Sequence, residues 1–483
     1  MESNKKTTQN EKLTSDGTIR GLVRDGVATY LGVPYGCADG ETGGLGALRP
    51  TGRWTGTLDC TLTPPVFHQP ASRLASIMGN AIDENPRSEQ AFTVNIFAPV
   101  DASTSPVLVF LHGGAFITGG GTRWYDGAAL SATENLVVVT VNYRLGIWGN
   151  LSAPGLPSNN ALRDVLAALR WISKHIGAFG GDAGNVTLSG QSAGAEFARL
   201  LACCEEAKGL FNRVILMSCP GRMQATAEEM ADATARVMTV AGARDFKEFS
   251  RLRQETVVQA TSAVVRERAA VGSVMPVFRP YVDGDLVHAW MDDPLEAASG
   301  AHCKEVLIGY TREEMSCFYW QESDRFPDGA TVSGWFQRTY GDFGDAVLRG
   351  VAARRSPSTS YTQWIDGLSD DIFANPATAI ADGYARCGSA FVYRFDLQTR
   401  QPRLFSPHCL DLPFFFNNLA QWHDAPMLHG FGEAEVAPLA ARFSGAIASF
   451  VRTGAPGVPD WHPVVINEPH QYTFDIDGVR SIS

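Results

Sequence analysis

No uninterrupted apolar run in this chain approaches the ~18 residues that a membrane-spanning helix needs. Residues 1–7 lead into polar sequence without an apolar h-region, so no secretory signal is expected. Positive charge is in deficit, with 40 Lys and Arg against 51 Asp and Glu and a formal net charge of −11. That balance argues against nucleic acid and anionic membranes as partners, though it says nothing about fold. Spacings such as H-x-x-x-H are missing, so neither a metal nor another cofactor is expected. The nine cysteines are odd in number and two are adjacent (Cys203, Cys204), which excludes a complete disulfide framework. Reduced thiols and a cytoplasmic location are the expectation. Internal repeats and low-complexity linkers are absent as well.

What is present belongs to an ordinary globular protein, 45% apolar and 19% charged. At 483 residues it has room for one large α/β domain with insertions. Residues 1–16 are polar and read as a disordered N-terminus, followed by a single domain over 17–483. Thr18 to Tyr35 reads as a hairpin turning at Asp25-Gly26. Val107-Leu108-Val109-Phe110-Leu111 and Leu136-Val137-Val138-Val139-Thr140-Val141 are apolar throughout, as parallel strands covered on both faces should be. Apolar residues between 160 and 176 recur at spacings of three and four, which predicts an amphipathic helix. Further strands are expected at 214–218, 306–309, 391–395 and 472–475, and a closing helix over 433–452. Strands alternating with helices predict a mostly parallel sheet with helices on both faces. Insertions over the sheet are expected at about 225–300 and 318–385.

The chain is organised around Val186-Thr187-Leu188-Ser189-Gly190-Gln191-Ser192-Ala193-Gly194. This reads as an apolar strand, a sharp Gly-x-Ser-x-Gly turn, and a helix opening at Ala193. A side chain at Gly190 or Gly194 would crowd neighbouring elements, and the turn lifts Ser192 clear of the sheet. Alone, a pentapeptide in a chain with 48 glycines proves little. A serine hydroxyl needs a base, and the base needs an acid to hold its tautomer. On such a sheet they follow in the order Ser, acid, His, from loops at the carboxyl ends of strands. The strand at 306–309 runs into Thr311-Arg312-Glu313-Glu314, and the strand at 391–395 is followed by Ser406-Pro407-His408. His423 and His429 also lie downstream of the acid. Phe110-Leu111-His112-Gly113-Gly114-Ala115-Phe116 ends a long strand in a glycine turn suited to aiming N–H groups at an oxyanion.

Taken together, His112-Gly113-Gly114-Ala115-Phe116, Val141-Asn142-Tyr143-Arg144-Leu145-Gly146, Phe179-Gly180-Gly181-Asp182 and Gly190-Gln191-Ser192-Ala193-Gly194 resemble the type-B carboxylesterase and cholinesterase family of α/β-hydrolases. The segments ending in Glu314 and beginning Ser406-Pro407-His408 are similar to that family's acid and histidine segments. The resemblance spans roughly residues 17 to 475. It implies Ser192, Glu314 and His408 as catalytic triad, and oxyanion donors at Gly114, Ala115 and Ala193. It also implies an ion pair between Arg144 and Asp182. Two departures stand out: Gln191 replaces the family's usual glutamate before the serine, and Pro220 replaces a supporting serine two residues beyond Ser218.

The expected activity is hydrolysis of carboxylic esters through an acyl-enzyme, with small-molecule esters as substrates and a monomer or homodimer as the working form. Phe116, Trp148, Gln191, Phe318 and Phe414 are candidates for the substrate pocket. Because Gln191 removes a carboxylate beside the nucleophile, neutral short- or medium-chain esters are expected to be preferred over cationic ones. The rivals are a lipase or acyltransferase on the same triad, and a binding protein that has kept the fold without the chemistry.

Overall fold

The apolar runs form the centre of a 13-stranded sheet. The computed structural model describes residues 7–40, 42–269, 274–321, 327–466 and 471–482. Its principal strands are β1 (Thr8–Leu13), β2 (Thr18–Arg24), β3 (Val27–Pro34), β4 (Thr93–Pro99), β5 (Ser105–Leu111) and β6 (Val137–Val141). They continue with β7 (Gly181–Gln191), β8 (Arg213–Met217), β9 (Glu305–Thr311), β10 (Ser389–Phe395), β11 (Gln471–Asp475) and β12 (Gly478–Ile482). Their spatial order is β1-β2-β3-β4-β6-β5-β7-β8-β9-β10-β11-β12, with Thr57–Asp59 pairing on β2. From β6 to β11 every pairing is parallel; the outer numbered strands pair antiparallel, and Thr57–Asp59 runs parallel to β2.

Side chains alternate across a strand, so one apolar run can feed two cores. Val107, Val109 and Leu111 of β5 pack in one cluster with Leu162, Leu169 and Phe197, from the helices Asn160–His175 and Ala193–Cys203. Leu108 and Phe110 face the other way, into a cluster with Phe443, Ile447 and Phe450 of the helix Glu433–Thr453. Burial on both faces is why these strands carry no polar alternation.

The register then decides where chemistry can occur. Gly190 is level with Leu111 on one side and with Leu216 on the other, and Met217 is level with Gly309. The carboxyl ends of β5, β7, β8 and β9 therefore share one edge. The loops bearing Gly114, Ser192, Ser218 and Glu314 all leave from it. Between β8 and β9 the chain pairs Ala225–Thr226 with Tyr281–Val282 and carries the helices Ala227–Val240 and Gln254–Glu267. Between β9 and β10 it carries the helices Gly329–Tyr340, Gly344–Ala353, Ser360–Ser369 and Asn375–Ala385.

Two expectations are corrected. Residues 8–13, assigned to a disordered N-terminus, form β1 and pair antiparallel with β2. The sequence Thr8-Gln9-Asn10-Glu11-Lys12-Leu13 has no apolar face because the strand lies at an exposed sheet edge, so periodicity could not reveal it. Residues 1–6 lie outside the described residues. Arg144 pairs with Asp164, at 2.6 Å and 2.8 Å, and not with Asp182. Asp182 instead accepts from the Gly184 N–H. All nine cysteines are free thiols. Among the described residues no helix is long and apolar enough to cross a membrane.

Candidate active site

Ser192 stands between β7 and the helix Ala193–Cys203 with φ 56° and ψ −118°, a backbone state that L-residues avoid. Close packing enforces it. A Cβ on Gly190 would lie 2.3 Å from the Gly194 carbonyl carbon, and one on Gly194 would lie 2.1 Å from the Leu111 carbonyl oxygen. Strand and helix therefore approach more closely than any other residue pair permits. The Ser192 N–H is tied to the Met217 carbonyl at 2.8 Å, and the serine carbonyl takes the Glu196 N–H at 3.1 Å.

Glu314 and His408 meet as the chain order requires. The Glu314 carboxylate holds the Nδ1–H of His408, and both side chains are almost wholly buried. The other carboxylate oxygen accepts the Ser218 hydroxyl at 2.6 Å and the Thr311 N–H at 2.8 Å. With both oxygens engaged, the carboxylate is held facing the ring. Pro220 therefore does not leave the acid unsupported: Ser218 itself supplies the hydroxyl. Glu313 points elsewhere, into Arg355, Gln398 and the Ser406 N–H. His423 and His429 are exposed. Burial pushes the His408 imidazole down, but Cys409 and the Glu314 carboxylate overcome this and hold it well above the usual histidine range.

Gln191 reaches the other ring nitrogen. Its Nε2 lies 2.9 Å from His408 Nε2. An amide N–H can donate there only to a lone pair, so this contact and the one to Glu314 select the tautomer with its proton on Nδ1. That is the form a general base requires.

The glycine turn after β5 is equally constrained. A Cβ on Gly114 (φ 114°) would fall 2.1 Å from the Thr118 carbonyl oxygen, and Ala115 is itself left-handed at φ 52°. The Gly114 carbonyl takes the N–H groups of Ile117 and Thr118. Among the described residues the N–H groups of Gly114, Ala115 and Ala193 make no backbone hydrogen bond outside regular structure. Ala193 opens a helix, so its N–H has no partner within that helix. The adjacent His112 does not line the cavity that Ser192 lines; burial lowers it to about 4 and its Nδ1 faces the Gly113 carbonyl.

Ser192, Ala193, Gly114, Ala115 and His408 line one cavity of about 250 Å³. Of the expected pocket residues, Phe116 and Phe318 line it too. Trp148 does not: it packs beside Gly44, Phe67 and Arg144 in a separate crevice. Phe414 is fully buried against Phe395, on the far face of the sheet. Gln191 sits behind His408 rather than on the wall. Nearness along the chain misplaced Trp148, because the turn after Leu145 carries the short helix Gly146–Asn150 away from Ser192. Phe373 was not anticipated. It lines the cavity with its ring 5.1 Å from that of His408, and comes from the irregular helical segment Asp370–Ala374 between β9 and β10. No motif marked it. Among the described residues, no cluster of three or more His, Cys, Asp or Glu side chains could hold a metal ion.

A strained serine turn, a buried acid–histidine pair and a glycine turn on one sheet edge define an α/β-hydrolase of the esterase class. The chain belongs to the carboxylesterase family, whose model matches residues 8–480. It is 31% identical to the phenmedipham hydrolase of Pseudarthrobacter oxydans, over 97% of this chain and 95% of that one. It is also 31% identical to the para-nitrobenzyl esterase of Bacillus subtilis, with the same two coverages. Among solved structures, a thermophilic PNB esterase superposes with a TM-score of 0.83 at 29% identity, covering 98% of both chains. A carboxylesterase of Geobacillus stearothermophilus gives the same TM-score and identity over 98% of this chain and 97% of its own. The protein is a carboxylic ester hydrolase.

Proposed function

We propose that Ser192, His408 and Glu314 carry out this hydrolysis as nucleophile, base and orienting acid. The observation that supports it most is the buried Glu314–His408 pair opening onto the cavity that Ser192 also lines. Ser192 Oγ attacks the ester carbonyl carbon, and His408 Nε2 takes the hydroxyl proton. To do so Nε2 turns from the Gln191 amide to the serine hydroxyl. Glu314 stabilises the imidazolium so formed. The N–H groups of Gly114, Ala115 and Ala193 hold the oxyanion, each worth about 3 kcal/mol. The tetrahedral intermediate collapses, the C–O bond to the alcohol breaks, and His408 gives its proton to that oxygen. Water repeats the sequence on the acyl-Ser192 ester and releases the acid.

A cavity of about 250 Å³, with Phe318, Phe373, Ile372 and Met223 among its walls, suits short- to medium-chain acids or small aryl alcohols. Among the described residues, no carboxylate lines it to attract a cationic alcohol. The reading is therefore of a single hydrolase domain with two insertions, cytoplasmic, monomeric or dimeric, that prefers uncharged esters to choline esters. The test is hydrolysis of p-nitrophenyl esters of increasing acyl length by wild type and Ser192→Ala. Activity that peaks at short or medium length and vanishes in the variant supports it, and activity that survives in the variant refutes it.

A further inference from the structure

Among the described residues, the cavity around Ser192 is lined by charge of one sign only. Arg73 and Arg266 contribute to its lining, and no described aspartate or glutamate does. In a chain with more acidic than basic residues, that wall runs against the bulk balance. The adjoining chamber shares Pro220, Met223, Val274 and Ile372 with it but is lined by both signs, Arg199 and Arg222 with Asp292 and Asp371.

Both arginines are exposed while His408 is buried, so they stand at the open end of the cavity. Neither has an ion-pair partner among the described residues. Arg73 lies over the face of the Phe318 ring at 5.1 Å, which steadies its plane and leaves the N–H edge of the guanidinium available. Arg266 sits in the last turn of the helix Gln254–Glu267. Its charged neighbours are spent on others: Glu267 pairs with Arg236 at 2.9 Å, and Arg268 with Asp232 at 2.6 Å. A helix C-terminus favours a cation, which accounts for a basic residue there but not for its place on the cavity wall.

We propose that Arg73 and Arg266 recognise a carboxylate on the substrate. The favoured ester then carries an anionic group remote from the scissile carbonyl, as in half-esters of dicarboxylic acids or acyl esters of hydroxybenzoates. A guanidinium fork matches the two oxygens of a carboxylate, and an ester that fills the apolar depth leaves such a group at the mouth. This rests on Ser192 being the nucleophile in the same cavity.

The test compares kcat/KM within two matched pairs. One places the carboxylate on the acyl side, mono-4-nitrophenyl suberate against 4-nitrophenyl octanoate. The other places it on the alcohol side, the octanoyl ester of 4-hydroxybenzoate against that of 4-hydroxybenzamide. In at least one pair the anionic ester should lead by roughly ten-fold at low salt, since each exposed ion pair contributes a few-fold. The lead should shrink at about 1 M salt, where screening is strong. Arg73→Gln with Arg266→Gln should remove it, Arg73→Lys with Arg266→Lys should keep most of it, and Arg73→Glu with Arg266→Glu should reverse it. Neutral isosteres leading in both pairs, or a lead that the glutamine variant retains, overturns the proposal. If Ser192→Ala still cleaves the neutral octanoate, the esterase reading fails instead, and the two failures are distinguishable.

Discussion

Replacing Gln191 by Glu tests the wiring of the base. The amide nitrogen lies 2.9 Å from His408 Nε2, and Gln191 is 1% exposed. A carboxylate there would put its charge about 4 Å from the centre of the imidazolium. Two unit charges at that distance interact by about 4 kcal/mol at an effective dielectric near 20. Divided by 1.36 kcal/mol per unit, this gives an upper bound of about 3 pKa units. Burial of the new carboxylate opposes part of it, so a rise of about 1 unit or more is expected. The sign follows from the charge: a second carboxylate favours the protonated ring, and the protonated ring is no base. The rising limb of kcat/KM against pH should therefore move to higher pH. Activity at pH 7 should fall by roughly ten-fold and recover as pH rises through the new pKa. Because Gln191 stands behind His408 and off the cavity wall, the effect on choline-ester preference should be smaller than the effect on pKa. The assay is the full pH profile of kcat/KM on one neutral aryl ester. An unmoved or lowered kinetic pKa would show that Gln191 does not contact the group that titrates in kcat/KM.

Other outcomes follow from the same geometry. In wild type kcat/KM should rise through an apparent pKa above about 6.5, because ionised Glu314 favours the imidazolium; Glu314→Gln should lower that pKa as well as the rate. Ser218→Ala leaves one Glu314 oxygen with the Thr311 N–H alone and should lower kcat by about ten-fold, the equivalent of one charged hydrogen bond, with KM little changed. Phe373→Ala, which opens the cavity wall beside His408, should alter acyl-length preference, whereas Trp148→Ala should leave it as in wild type; equal effects on the p-nitrophenyl ester series would contradict the assigned lining. Thiol titration in denaturant without reductant should find nine per chain, and five or fewer would contradict the free-thiol assignment.

Elements whose burial is uniform could be read from the chain. The runs at 107–111 and 137–141 are apolar because helices cover both faces of their strands, and the close approach of Gly190 to Gly194 left its mark as Gly-x-Ser-x-Gly. The chain order of the candidates Ser192, Glu314 and His408 could be read because each follows a strand, and the sheet register brings the ends of those strands to one edge. Features set by packing between distant segments were not. Nothing local distinguishes Asp164 from Asp182 as the partner of Arg144; that choice is made where the helix Asn160–His175 meets the loop after β6. The Ser218 hydroxyl became visible as Glu314's support only once β8 and β9 were in register. Phe373 and Arg266 arrive on helical segments between strands and Arg73 on the loop before β4, where side chains follow no motif.

The central claim is that one serine forms a covalent intermediate with one histidine as its base. A fluorophosphonate, which loses fluoride as a serine oxygen bonds to its phosphorus, tests this directly, with intact-mass and peptide mass spectrometry as readout. A single adduct is predicted, on Ser192, forming in step with loss of esterase activity. The rate should follow the pH profile of kcat/KM, fall by several orders of magnitude in His408→Ala, and be unaffected by EDTA. An adduct on another residue, or full activity in protein stoichiometrically modified at Ser192, would contradict the account.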